Sequence, residues 1–269
     1  MMDGKGNLLV IKVGGNALVT PDAMNSFAQA VRKLLDSGYL TVISHGGGPQ
    51  ISAAFEAAGE PSEFVGGFRF TTAAGALLVK QVLCQEIQTQ IVHELHRLEV
   101  VAKGICGDQN VFSCVKRTVL VSGEKADLGY VGEIISVDDS SIKKLIDENI
   151  VPIVSAIGTD PSGNLYNINA DTGAAELAVA INADYLVLLT DVDGVYGQWP
   201  NKESLLNRID PTDLLKIASS SDKGMAPKLE AANIAVSNGV KQVVILNGNT
   251  GTAIEKYFIQ GNSIGTTIL

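Results

Sequence analysis

Twice within the first 50 residues, a short β-branched run ends in consecutive glycines and then gives way to a helical pattern. Leu8–Val13 leads into Gly14-Gly15, and residues 40–44 lead through His45 into Gly46-Gly47-Gly48-Pro49. Strand, glycine turn and helix, repeated, is the grammar of parallel strands joined by right-handed crossovers. The first helix shows Phe27, Val31, Leu34 and Leu35 at helical spacing and closes at Gly38. The C-terminal part follows the same rule. Residues 171–181 read as an alanine-rich helix, Tyr185–Thr190 as a buried strand, residues 225–238 as a helix ending at Gly239, and residues 242–246 as a last core strand. Between these, residues 72–98 predict one long helix with an apolar stripe through Leu78, Val82, Ile87, Ile91 and Leu95. Residues 111–121 and Val131–Val137 predict a β-rich insertion with hairpins, followed by a helix over 138–149 and a strand over 150–155. The expected fold is α/β: a three-layer α/β/α sandwich with a mostly parallel central sheet. Two lobes are expected, residues 1–166 and 167–269, with ligands at the carboxyl ends of the strands.

Composition narrows the class. Hydrophobic residues make up 46% of the 269 and charged ones 18%, enough for a well-buried core. The apolar runs are strand-length and far short of a membrane span. The N-terminus does not read as a signal peptide. The three cysteines, Cys84, Cys106 and Cys114, form no Cys-x-x-Cys pair, which suggests reduced thiols and a cytoplasmic location. A net charge of −9 argues against nucleic acid or an anionic membrane surface as partner. Any anionic ligand must therefore meet positive charge that is concentrated locally.

The glycine turns are where that charge can gather. No G-x-x-x-x-G-K-[ST] and no G-x-G-x-x-G is present, which removes the Walker-type ATPases and the usual dinucleotide fingerprint. Consecutive glycines after a parallel strand let backbone N–H groups point at an anion, and a following helix adds its positive end. Lys12 stands beside the first turn. One Gly-Gly alone would read as a tight connection; two such loops, one with a lysine, favour an anion site. Near the other end, Ser219-Ser220-Ser221-Asp222 runs into a helix with Lys228 in its first turn. A lysine there opposes the helix dipole, and makes sense with an anion between them.

Six segments occur in order: Ile11-Lys-Val-Gly-Gly15, His45-Gly-Gly-Gly-Pro-Gln50, Leu128-Gly-Tyr-Val-Gly-Glu133, Asn167-Ile-Asn-Ala-Asp171, Leu189-Thr-Asp-Val-Asp-Gly-Val195 and Gly224-Met-Ala-Pro-Lys228. Together they resemble the amino acid kinase superfamily, most closely its acetylglutamate kinases, over nearly the whole chain. The resemblance implies transfer of the γ-phosphoryl group of ATP to the side-chain carboxylate of N-acetyl-L-glutamate, with Mg²⁺ carried mainly by phosphates and water and no protein metal ligand. It implies that Lys12 and Lys228 neutralise the transferring group and that Asp171 holds both lysines. Gly14 and Gly15, with Gly47 and Gly48, would supply backbone donors. Arg69 would grip the acceptor's α-carboxylate and Asn167 would bind the acceptor. Thr190, Asp191, Val192, Asp193, Gly194 and Val195, with Ser220, Ser221 and Asp222, match the nucleotide-binding segments. The N-terminal lobe would bind the acceptor and mediate dimerisation, and the C-terminal lobe would bind nucleotide.

The chain departs from the family pattern after Arg69, where Phe70-Thr71-Thr72 stands in place of Val-Thr-Asp. This bears on the identity of the acceptor more than on the reaction. Alternatives are a kinase for a related N-acyl acidic amino acid (carrier-linked aminoadipate or glutamate, or N-succinylglutamate) and a non-catalytic nucleotide or amino-acid sensor. Met1–Asn7 is too short for the extra N-terminal helix of arginine-sensitive members, so a homodimer that arginine does not inhibit is expected. His93 and His96 read as a solvated helix face rather than a metal site, and His45 as structural.

Overall fold

The computed structural model describes residues 6–220, 224–249 and 252–269. Strand β1 (Leu8–Val13) is buried almost throughout and helix α1 (Pro21–Asp36) follows it. The Thr20 hydroxyl caps α1 by accepting the Ala23 amide at 3.2 Å. Pro21 fills the first helical position, where an amide hydrogen would have no partner. Strand β2 (Leu40–His45) and helix α2 (Gly48–Ala58) repeat the unit. A two-strand hairpin, β3 (Phe64–Val65) and β4 (Phe68–Arg69), comes next.

The helix expected over 72–98 is continuous but not uniform. Its ends, α3 (Ala73–Lys80) and α4 (Gln88–Arg97), are joined by a π-helical segment, Gln81–Ile87. Then follow β5 (Ala102–Cys106), β6 (Phe112–Lys116), β7 (Val131–Val137), α5 (Ser140–Asp147), β8 (Val151–Ser155), β9 (Ile157–Thr159), β10 (Leu165–Ile168) and α6 (Ala170–Ala180). The chain continues through β11 (Tyr185–Thr190), β12 (Arg208–Ile209), α7 (Leu214–Ser220), α8 (Ala226–Ser237), β13 (Gln242–Asn247), α9 (Thr252–Phe258) and β14 (Thr266–Ile268).

Eight strands form one sheet in the order β12-β14-β13-β11-β1-β2-β8-β5. It is parallel from β13 to β5, and β14 runs antiparallel to β13. Side chains alternate along each strand, so the sheet carries a core on each face. Leu9, Ile11 and Ile43 pack with α1, α2, the π-helical segment, α4 and α9 on one side. Val10, Val42 and Leu186 pack with α5, α6, α7 and α8 on the other. The chain leaves β1 for β2 on one side while β11 adds on the other, so the strand order reverses beside β1, and a crevice opens there at the carboxyl ends.

The β-rich insertion holds the expected hairpin, with β6 antiparallel to β7 and a Val119–Lys125 bridge beside the turn, and it goes further. Strands β6, β7, β9 and β10 close into a small four-stranded barrel. The strand expected over 111–121 stops at Lys116 because Arg117 turns inward. Its guanidinium pairs with Glu230 of α8 at 2.9 Å and stands 4.2 Å from the Phe68 ring centre.

Candidate active site

The two lysines meet on one carboxylate. Lys12 comes from the carboxyl end of β1, Asp171 from the first turn of α6, and Lys228 from the first turn of α8. Lys12 Nζ lies 2.9 Å from Asp171 Oδ1, and Lys228 Nζ donates to Asp171 Oδ2 at 3.0 Å. The carboxylate is placed by its own helix cap, in which Asn169 Oδ1 accepts the amides of Asp171 and Thr172 at 3.0 and 3.1 Å. Burial opposes ionisation of Asp171, but the two lysines outweigh it and hold its pKa well below the usual carboxylate range. Burial also lowers the pKa of Lys12; Asp171 resists that shift and Lys228 adds to it.

Two cavities meet at this bridge. One, of about 300 Å³, is bordered by both lysines and Asp171, by Gly14, Gly15, Gly46, Gly47 and Gly48, and by Arg69 and Asn167. Its lining carries three cations and one carboxylate, a local balance of +2 in a chain of net charge −9. The other, of about 260 Å³, is reached past Gly14 and Gly15 and is bordered by Thr190, Asp191, Gly248 and Asn249 as well as both lysines. A third cavity, about 430 Å³, lies at the opposite ends of the strands around Leu40 and Val151, away from this chemistry.

The glycines have distinct reasons. Gly15 sits at φ +57°, a left-handed conformation that favours glycine. At Gly47 a Cβ would come within 2.2 Å of Ile87 Cδ1, so the second loop and the π-helical segment touch directly. Gly47 is also the N-cap of α2 and has no side chain to occupy the helix's first amides. The positive end of α2 is thus offered to the cavity.

Arg69 is buried, with its guanidinium 4.6 Å from the Phe64 ring centre. It donates through Nη1 to Ser62 at 2.7 Å, and through Nη2 to Ser52 at 2.7 Å and the Gly48 carbonyl at 3.1 Å. Three of its five donors are used, leaving Nε and one Nη1 hydrogen for a ligand. Asn167 Nδ2 donates to the Thr71 hydroxyl at 3.1 Å, which in turn donates to the Arg69 carbonyl at 2.9 Å. Thr72 caps α3 by accepting the Gly75 amide at 2.9 Å, and its hydroxyl donates to Glu60 at 2.5 Å. The carboxylate that position 72 lacks is therefore brought alongside by Glu60.

Val192, Asp193, Gly194 and Val195 border neither cavity. The Val195 amide donates to Thr266 Oγ1 at 2.8 Å, a Cβ on Gly194 would strike the same oxygen, and Asp193 accepts from Asn247 at 2.8 Å. These residues hold the turn after β11, and Thr190 and Asp191 are the ones that reach the cavity wall. Ser220 ends α7, while Ser221 and Asp222 lie outside the described residues. His45 is fully buried, with Nδ1 3.4 Å from the Gly46 carbonyl oxygen, and burial pushes its pKa down to about 4. It borders neither cavity and stays neutral.

Sequence reasoning missed Ser52, Ser62, Thr71 and Asn169. Asn169 was legible as a helix cap before an alanine-rich run. The two serines carry no signal, because only the folded hairpin brings them to Arg69.

Residues 7–247 match the amino acid kinase family. The chain is 39% identical over 266 residues to the acetylglutamate kinase of Frankia casuarinae, covering 98% of this chain and 74% of that protein. It is 40% identical over 264 residues to the acetylglutamate kinase of Leifsonia xyli subsp. xyli, covering 97% of this chain and 87% of that one. The fold superposes on N-acetylglutamate synthase from Neisseria gonorrhoeae with a TM-score of 0.84 at 23% identity, over 98% of this chain and 60% of the other. With its two glycine turns and twin lysines in the expected order, the chain belongs to the amino acid kinase family, and its curated relatives there are acetylglutamate kinases.

Proposed function

We propose that the protein uses ATP to phosphorylate the side-chain carboxylate of N-acetyl-L-glutamate, giving an acyl phosphate. One observation carries this reading: Asp171 bridges Lys12 and Lys228 where the two cavities meet. The acceptor occupies the cavity with Arg69 and Asn167, and the nucleotide the one with Thr190 and Asp191. The phosphoryl group then crosses between them past two cations and the glycine amides.

An acceptor carboxylate is already ionised at neutral pH, so the reaction needs no general base. No histidine borders either cavity among the described residues. Catalysis then rests on alignment and on neutralising charge that moves from the γ-phosphoryl group to the leaving ADP. Lys12 and Lys228 supply that neutralisation, and Asp171 fixes them without contributing enough charge to cancel them. Asp191 is exposed and, among the described residues, is the carboxylate bordering the nucleotide cavity, so it fits a Mg²⁺ that is otherwise carried by phosphate oxygens and water. The remaining segment, Val192–Val195 with Ser220, Ser221 and Asp222, belongs to the nucleotide side.

In this reading residues 1–166 form the acceptor lobe and 167–269 the nucleotide lobe, with Asn167 and Asp171 at the seam. The three cysteines are free thiols, and no helix among the described residues is long and apolar enough to cross a membrane, which supports a cytoplasmic enzyme. A two-fold homodimer is the expected assembly, being the commonest closed form, and light scattering tests it.

The function is tested by ADP release over a panel of N-acylated acidic amino acids. The largest kcat/KM is expected with N-acetyl-L-glutamate. ADP release that favours another acyl group would reassign the acceptor, and none with any acceptor would leave a sensor rather than an enzyme.

A further inference from the structure

We propose that Cys84, Cys106 and Asp108 form a site for one thiophilic divalent cation, of which Zn²⁺ is the type, between the π-helical segment and the end of strand β5. Cys84 lies in the segment Gln81–Ile87, Cys106 ends strand β5, and Asp108 lies in the turn that follows. The two sulfur atoms and a carboxylate oxygen lie within 4.8 Å of one another. Tetrahedral zinc holds thiolates at about 2.3 Å and carboxylate oxygen at about 2.0–2.2 Å, so its ligand atoms stand roughly 3.5–3.8 Å apart. Small side-chain rotations close that difference and leave a fourth position for water.

The surroundings are already arranged as an outer shell. The Ser155 hydroxyl lies 3.2 Å from Cys84 Sγ and accepts the Gly107 amide at 3.3 Å. Gln88 Oε1 accepts from Cys106 at 3.8 Å, while Gln88 Nε2 is fixed on the carbonyls of Ile105 and Ile153 at 3.0 and 2.9 Å. Asp108 is the telling member. Its side chain is 7% exposed, and Oδ2 accepts from Lys80 at 2.5 Å. Its Oδ1 is buried with no hydrogen-bond partner among the described residues. A buried carboxylate oxygen without a partner is unfavourable, and a cation beside it removes that penalty.

The charges close as well. Without metal, Asp108 is balanced by Lys80. On binding, both sulfurs coordinate as thiolates, and any thiol proton goes to solvent. Two thiolates and one carboxylate then balance the dication and Lys80. Two sulfur ligands select zinc-like ions over Mg²⁺, so the site is distinct from any magnesium carried by the nucleotide. Its position gives it a consequence for the acceptor cavity. Leu83 and Ile87 flank Cys84; Leu83 borders the cavity and Ile87 packs on Gly47. A cation tying Cys84 to the end of β5 fixes that wall.

The test uses the full chain, reduced and stripped with a chelator, titrated with Co²⁺. A thiolate-to-cobalt charge-transfer band is expected to saturate at one equivalent, to be erased by Zn²⁺ and to be indifferent to Mg²⁺. Cys84→Ser and Cys106→Ser are each expected to lose the band, and Asp108→Asn to weaken binding at least about tenfold. Zn²⁺ calorimetry on the unmutated protein, in buffers of different ionisation heat, is expected to show proton release, which needs no variant to fold. Absence of the band in the reduced protein, its survival in either serine variant, or Zn²⁺ binding without proton release overturns the proposal.

Discussion

Replacing Asp171 with asparagine removes one charge, keeps the shape, and leaves two buried ammonium groups facing each other. Each lysine lies 2.9–3.0 Å from the carboxylate, which at an effective dielectric of about 20 corresponds to roughly 5 kcal/mol of attraction per contact. Desolvation of all three groups offsets much of that. The net loss on breaking a buried ionic cluster from one side is therefore about 3–5 kcal/mol. For a chain of this size that corresponds to a fall in Tm on the order of 10 °C. The pH dependence has a definite sign. Asp171 is ionised in the native state far below its unfolded pKa, so its contribution is complete above about pH 5 and is lost only as pH falls through the native value. The gap between wild type and Asp171→Asn should accordingly be flat from pH 5 to 7. Urea unfolding across that range measures it, with kcat determined on the same samples. A variant within about 0.5 kcal/mol of wild type at pH 7 would refute the idea that Asp171 holds the lysines.

Lys12→Ala and Lys228→Ala should each lower kcat about 100-fold or more while changing the KM for ATP far less; near-wild-type turnover in either folded variant removes it from the mechanism. Arg69→Lys should raise the KM for the acceptor and leave ATP affinity nearly unchanged, because a point charge cannot reproduce a planar fork already held by Ser52 and Ser62; calorimetry with each ligand separates the two. His45 has a native pKa of about 4 against 6.5 for the free side chain, so its neutral form adds stability that is fully present above pH 6.5 and lost as pH falls through 4. That loss is on the order of 3 kcal/mol, and urea unfolding should show a shallower decline for His45→Asn over the same window.

How much of this was legible beforehand depended on how local each signal was. Strands β1, β11 and β13 carry unbroken apolar runs, and a run of that kind means a strand buried on both faces wherever it is placed. Strand β5 was not legible, because Ala102-Lys-Gly-Ile-Cys106 has neither alternation nor a β-branched run, and its pairing with β8 is what makes it a strand. The four-stranded barrel escaped for a related reason: β9 and β10 are short, and only closure with β6 and β7 satisfies their edges. At the site, Lys12 and Lys228 were visible from the glycines and the helix start around them. The segment after β11 mixes two kinds of residue that sequence alone does not separate. Its aspartates and glycine resemble ligand contacts in sequence, yet Gly194 and Val195 serve Thr266.

The acidity of the chain and the cationic site are two parts of one arrangement. Among the described residues, three cations and one carboxylate border the cavity that holds Arg69 and Asn167. With substrates bound, the acceptor carboxylate and the terminal phosphates bring several negative charges to that point. Lys12, Lys228 and Arg69 can balance them only if the cations do not spread apart when the site is empty. One carboxylate is enough to prevent that. A second would leave too little positive charge for the phosphoryl group in transfer, and none would leave two buried lysines repelling each other. Asp171, capped by Asn169 at the head of α6 and packed between β1 and α8, is where both lysines are held. The ion pair from Arg117 to Glu230 ties the end of β6 to α8 two residues beyond Lys228, so the barrel and the second lysine are positioned together.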